Sequence, residues 1–117
     1  MKALDRVFGW LLALGGIGHG LGSYKAYGNQ PMALIWALSA SFAVFLLAAI
    51  NLLRTERAGD RTLAWISFAG CAVWIGFVLW FGALIGNIFD FRPLINLILT
   101  LVLTFFSLRS ALRPAPG

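Results

Sequence analysis

The feature that most constrains this chain is the length of its uncharged apolar stretches. Residues 26–53 and 62–89 contain no Asp, Glu, Lys or Arg. A helix needs about 20 mostly apolar residues to cross the hydrocarbon core of a bilayer. Only helices and closed barrels satisfy the backbone in lipid, and barrel strands alternate in polarity whereas these stretches are continuously apolar. The sequence therefore predicts an all-α integral membrane protein.

Composition supports a membrane protein. The chain is 61% hydrophobic and 11% charged, whereas soluble domains are near half apolar and a quarter charged. Its net charge of +5 would favour nucleic acid in a soluble protein. Here basic loops at the cytoplasmic face explain the charge better, and no nucleic-acid partner is expected. Cys71 is the single cysteine, which excludes an intrachain disulfide and favours inert packing.

Four helices are predicted within a single domain, residues 1–117. The interpretation places helices at about 4–22, 32–53, 62–86 and 92–109, loops at 23–31, 54–61 and 87–91, and a tail at 110–117. Such short loops make neighbouring helices antiparallel, in an up-down-up-down four-helix bundle. The first helix also resembles a signal peptide, with Gly16-Ile17-Gly18 as a cleavage site. Asp5 fits a signal head poorly, so we expect the helix to be retained.

The distribution of basic residues predicts the orientation. Seven of the nine Lys and Arg residues lie in the head, the 54–61 loop and the tail, whereas Lys25 and Arg92 occupy the other two loops. Because cytoplasmic loops carry an excess of Lys and Arg, both termini are expected in the cytoplasm. The expected location is the inner (plasma) membrane.

Two helices carry rows of chemically similar residues. A small-residue ridge on the first helix and a polar row on the fourth both recur at intervals of three and four, which keeps each on one face. The ridge predicts close helix packing, with homo-oligomerisation as the alternative to packing within the bundle. The polar row predicts inward-facing hydrogen bonds between helices, with a polar lining for a substrate as the alternative. The ridge comprises Gly9, Ala13, Gly16 and Gly20, and the row comprises Asn96, Thr100, Thr104 and Ser107.

The only histidine, His19, lies in a glycine-rich stretch near the predicted outer end of the first helix. Tyr24, Asp90 and Arg92 are expected on that same side, so a polar ligand-binding pocket is predicted there. The Gly15-x-x-x-His19 spacing resembles, locally, helices that bind haem or chlorophyll, and would imply a tetrapyrrole or a metal on His19. The alternatives are structural: an interfacial His19 hydrogen-bonded to a loop, and Asp90 as the cap of the fourth helix paired with Arg92.

No sequence pattern of a known enzyme mechanism is present: there is no H-E-x-x-H, no cysteine pair and no phosphate loop. The overall plan superficially resembles the small multidrug resistance exporters, but Leu11 to Leu14 stand where that family has an essential glutamate. The favoured function is therefore a non-enzymatic subunit or accessory protein acting through helix packing. The alternatives are a small oligomeric transporter or channel and a cofactor protein centred on His19. Expected partners are the lipid bilayer and either further copies or a larger membrane complex.

Overall fold

The computed structural model describes residues 1–114, and these form four α-helices joined by short turns. Turns at 28–30, 57–60 and 85–90 reverse the chain each time, so neighbouring helices are antiparallel. The predicted all-α, up-down-up-down bundle is confirmed. The helices are α1 (Lys2–Tyr27), α2 (Pro31–Glu56), α3 (Arg61–Leu84) and α4 (Phe91–Leu112).

Three of these helices, α2, α3 and α4, are long and apolar enough to cross a membrane, with mean hydropathies of 2.3, 1.9 and 1.8. The protein is therefore a membrane protein. Helix α1 is not among the three, since its many glycines and His19 dilute its apolar side chains. Its 26 residues nevertheless extend about 39 Å at 1.5 Å per residue, which exceeds the roughly 30 Å of hydrocarbon.

Helix ends follow local chemistry. Asp60 caps α3 by accepting a hydrogen bond from the Leu63 N–H at 2.9 Å, and Pro31 occupies the first turn of α2. Proline suits that position because its missing N–H would have no partner there. Gly59 has φ +95°, a left-handed conformation that glycine adopts without steric cost. The α2–α3 turn is therefore encoded by adjacent residues.

The predicted boundaries were wrong at several helix ends. Ser23–Tyr27 continue α1, Arg54–Glu56 continue α2 and Ser110–Leu112 continue α4, although all were expected in loops or the tail. The prediction ended each helix near the first charged or polar residue, whereas Arg54 is buried within the bundle. Helix α3 ends earlier than predicted, ahead of Gly86 with φ +73°. The predicted tail residues 115–117 lie outside the described residues.

The bundle consists of two helical hairpins. Helix α1 packs most extensively against α2, and α3 against α4, while α1–α4 and α2–α3 contacts join the two hairpins. The central apolar cluster draws on every helix, and Phe8, Ala13 and Trp74 pack against it. Its buried members are Leu12, Val44, Leu47, Ala48, Cys71 and Leu103.

Candidate functional site

The most strongly polar feature of the interior is the side chain of Arg54, near the end of α2. Only 2% of its side chain is exposed, and it forms a salt bridge with the nearly buried carboxylate of Asp5 on α1. The two Nη atoms each lie 2.8 Å from a different Asp5 oxygen, a parallel two-bond arrangement. Such bidentate pairs are the strongest and most directional ion pairs that proteins make.

The other Arg54 donors reach the remaining helices. Nε donates to Ser67 Oγ on α3 at 3.4 Å, Nη1 to Ser110 Oγ on α4 at 3.2 Å, and Nη2 to Asn51 Oδ1 on α2 at 3.0 Å. A guanidinium has five N–H donors, and all five are directed at protein acceptors. One buried cation therefore contacts all four helices.

Asn51 extends this arrangement towards the core. Its Oδ1 accepts hydrogen bonds from Ser67 at 2.9 Å and Ser107 at 3.2 Å, and its Nδ2 donates to the Leu47 carbonyl at 2.9 Å and to Cys71 Sγ at 3.4 Å. Within the described residues, every side-chain hydrogen bond between the two hairpins ends on Asn51 or Arg54. We call this set the Arg54 network; it comprises Asp5, Asn51, Arg54, Ser67, Ser107 and Ser110.

The Arg54 network lies at one end of the bundle, where α1 begins and α4 ends. Ser67 is six residues into α3, which places it about 9 Å from the start of that helix. A charge at the centre of a bilayer is costly, and this cost falls towards the interface. The network thus lies away from the middle of the bundle, at the end that carries seven of the nine basic residues.

The small-residue ridge of α1 lies against α2. An added Cβ would stand 2.8 Å from Leu52 at Gly9, 2.9 Å from Phe45 at Gly16 and 3.4 Å from Ser41 Oγ at Gly20. Ala13 is partly buried against the core. By contrast, a Cβ added at Gly15, Gly18 or Gly22 would have no neighbouring side chain or other helix within 4 Å.

His19 makes its polar contact with a neighbouring helix. Its Nε2 lies 3.1 Å from the Ala37 carbonyl oxygen of α2, and its side chain is exposed. Tyr24, 69% exposed, has no side-chain hydrogen bond within the described residues. The structural alternative predicts a hydrogen bond from His19 to a loop, whereas the observed partner is a carbonyl within helix α2.

Asp90 is the N-cap of α4 and accepts from the Arg92 N–H at 3.0 Å. The Arg92 side chain also donates to both oxygens of Asp90, at 2.9 and 3.2 Å. These side-chain bonds, and then the backbone bond, hold the pKa of the Asp90 carboxyl below its ordinary value. In the described part of the chain, no hydrogen bond or ion pair joins His19 or Tyr24 to Asp90 or Arg92; His19 contacts Ala37, and Asp90 contacts Arg92.

Most of the predicted polar row on α4 is satisfied by its own helix. Thr100 donates to the Asn96 carbonyl and Thr104 to the Thr100 carbonyl, both at 2.6 Å, and Asn96 donates to the Arg92 carbonyl at 2.9 Å. Ser107 alone bonds to other helices, through Ser67 at 2.8 Å and Asn51. Hydroxyl groups bonded to the preceding turn present few free polar atoms to a substrate.

Sequence reasoning missed the Arg54 network. The sequence places Asp5 in the head and Arg54 in a charged loop, and it does not single out Ser67 or Ser110. The available signal was topological, because an antiparallel bundle brings the start of α1, the end of α2, the start of α3 and the end of α4 to one end. Among the described residues, no group of three or more His, Cys, Asp or Glu side chains is arranged to hold a metal ion.

Compared with known protein families, curated proteins and solved structures, this chain matches none of them.

Proposed function

We propose that this chain is a non-enzymatic, multi-pass membrane subunit that acts through the packing of its helices with further copies or a larger membrane complex. The observation that carries the proposal is the saturation of Arg54. Its five donors all bind side chains of the chain itself, which leaves none for a substrate. A polar centre of this kind fixes the relative positions of helices, which is what a structural subunit requires.

The polar row of α4 supports the same proposal over transport. A pathway for polar substrates needs side-chain atoms that can exchange partners with the solute. Thr100 and Thr104 instead bond to carbonyls one turn earlier in α4. The interior of one chain is therefore better suited to holding helices together than to conducting a solute.

The particle mass in mild detergent tests the proposal. We expect an assembly clearly heavier than one 12.7 kDa chain with its detergent, measured by light scattering with subtraction of the detergent mass. A particle containing a single chain would contradict the proposal. Solute flux into reconstituted vesicles tests the transporter alternative. Flux that is abolished by Asn96→Leu together with Thr100→Val would favour a transporter over a structural subunit.

A second candidate, a tetrapyrrole site on α1, is favoured by the open space at Gly15 on the face that carries His19. A flat ring lying against Gly15 would require His19 to release the Ala37 carbonyl or to ligate through Nδ1. The absorption spectrum of the purified protein decides this point. A visible band lost in His19→Ala supports the site, whereas a spectrum with only the aromatic band contradicts it.

We further propose that all four helices cross the inner membrane, with both termini in the cytoplasm. The clustering of basic residues at one end of the bundle supports this orientation. In intact cells, an impermeant thiol reagent should label Tyr27→Cys, while Ala58→Cys should react only after permeabilisation. Cys71 is fully buried and provides little background. The opposite labelling pattern would reverse the orientation.

A further inference from the structure

The end of the bundle that holds the Arg54 network also contains a cavity of about 160 Å³. It lies between the beginning of α1, the α2–α3 turn and the end of α4. One water molecule needs about 10 to 15 Å³ on the same scale, so the cavity has room for a phosphate group with some of its hydration. Basic residues dominate its charged lining, which comprises Lys2, Arg54, Arg57, Arg109 and Arg113 against Asp5 and Asp60.

The two carboxylates of the cavity are already engaged. Both oxygens of Asp5 are bound by Arg54, and Oδ1 of Asp60 caps α3. Lys2 is also partly engaged, since it lies 3.9 Å from Glu56. Capping leaves the charge of Asp60 in place, so one uncompensated carboxylate faces Arg57, Arg109 and Arg113, and the cavity lining stays net positive.

Three arginines are left to supply the positive potential. Arg57, Arg109 and Arg113 line the cavity, are exposed, and form no ion pair among residues 1–114. Arg109 lies in the last turn of α4 and Arg113 follows directly after its last residue, so both are at the same end of the bundle. Planar guanidinium groups match the paired oxygens of a phosphate better than any other side chain does.

We propose that this cavity binds the phosphate group of an anionic phospholipid. Basic pockets between membrane helices on the cytoplasmic side recognise such headgroups, and the cavity lies at the end where the charge distribution places the cytoplasm. Exposed Leu4 and Leu112 are next in sequence to the cavity residues Asp5 and Arg113, and give acyl chains an apolar surface. Free phosphate has the same oxygen atoms but no acyl chain to contact that apolar surface. This assignment does not depend on the subunit role proposed above, but it rests on the orientation proposed there, which the thiol labelling tests separately.

The test uses the full chain in detergent, titrated with short-chain phosphatidylglycerol and, separately, with phosphatidylcholine of the same chains and with inorganic phosphate at constant ionic strength. Bound lipid is counted by native mass spectrometry. We expect phosphatidylglycerol to bind more tightly than phosphatidylcholine. The combined Arg57→Gln, Arg109→Gln and Arg113→Gln variant should lose roughly a hundredfold in affinity, given the contribution of each basic residue near an anionic headgroup.

The matched control removes the same three charges elsewhere, as Arg6→Gln, Lys25→Gln and Arg92→Gln, and should retain nearly the wild-type affinity. If the triple cavity variant does not fold, Arg109→Gln alone should still lose about fivefold. Inorganic phosphate that binds as tightly as the lipid would assign the cavity to a free anion. Equal binding of both lipids with no effect of phosphate, or equal loss in the cavity and control variants, would overturn the proposal.

Discussion

The two ends of this bundle are built on different principles. At the end with Arg54, one cation is bonded to all four helices, and Asn51 links both hairpins. At the end with His19, polar contacts stay within a hairpin: His19 with Ala37 in one, Asp90 with Arg92 in the other. Between these ends, Ser41 Oγ and Trp74 Nε1 are buried with no partner in the described part of the chain.

This difference distinguishes two roles of polar residues in a helical bundle: joining the two hairpins and fixing a single helix end. A shared network couples the hairpins, so removing one of its side chains leaves several buried polar groups without a hydrogen-bond partner. Local caps and helix-to-helix contacts fix only the ends they occupy. We therefore expect the consequences of substitution to fall steeply from the Arg54 end to the His19 end, and the following experiments test that gradient in order of expected effect.

Replacing Arg54 by Gln should produce the largest loss, because Asp5 would remain as a buried carboxylate without its cation. Breaking a buried ion pair in this way costs about 3–5 kcal/mol. The free energy of unfolding in mixed micelles measures it. Arg6→Gln is the control, since Arg6 forms an exposed pair with Glu56 and should cost less than about 1 kcal/mol.

The combined substitution Asp5→Leu with Arg54→Met tests whether stability depends on the ion pair itself or only on leaving no unpaired buried charge. Well-packed apolar residues can replace a buried pair at little cost or even with a gain in stability. If the pair is structural, the double variant should recover most of the stability lost by Arg54→Gln and retain the wild-type particle mass. A double variant as unstable as the single one would show that the rest of the network depends on the charge itself.

Larger side chains on the small-residue ridge of α1 should cause the next largest loss in the free energy of unfolding. A side chain at Gly16 meets Phe45 at 2.9 Å, whereas Gly18 faces open space. Gly16→Leu should destabilise the bundle by about 1–3 kcal/mol through overpacking. Gly18→Ala should be neutral or stabilise by up to about 1 kcal/mol, since alanine favours helix over glycine. Equal effects at the two positions would remove the ridge as a packing surface.

His19→Ala should cost less than either. It removes one hydrogen bond to the Ala37 carbonyl, and such bonds between membrane helices average about 0.6 kcal/mol. Thermal unfolding of His19→Ala and His19→Gln measures the loss, and glutamine can restore a donor. A loss as large as that of Arg54→Gln would contradict the gradient between the two ends.

The smallest expected effect is the acid dependence of the α4 cap. Because Arg92 lowers the pKa of folded Asp90, the stability from this contact is complete above the ordinary carboxyl pKa. It is lost as the pH falls through the lower pKa of the folded state. Asp90→Asn keeps a capping oxygen but does not titrate, so the stability difference between wild type and variant should shrink on acidification. A difference constant with pH would contradict this assignment.

The sequence predicts the fold well and the interior poorly, for a physical reason. Uncharged apolar runs and turn residues are local signals. The four-helix bundle predicted from them is confirmed by the structure. A charged residue such as Arg54 carries the opposite local signal, which favours a loop, and only the convergence of Asp5, Ser67 and Ser110 makes its burial favourable. The prediction of a His19 pocket rests on the expected side of the membrane, on the positions of its residues at helix ends and on the glycines beside His19, and none of these determines which atoms meet.

Pairing Arg54 with Asp5 inside the first hairpin has a consequence for biosynthesis. The chain is made from its N-terminus, so α1 and α2 can meet before α3 and α4 exist, and the ion pair needs nothing from the second hairpin. Its own hairpin can then neutralise the cation before the remaining helices are made. The serines of α3 and α4 arrive afterwards and close the guanidinium off. The order of helices along the chain thus allows the ion pair to form before the other hydrogen bonds of Arg54.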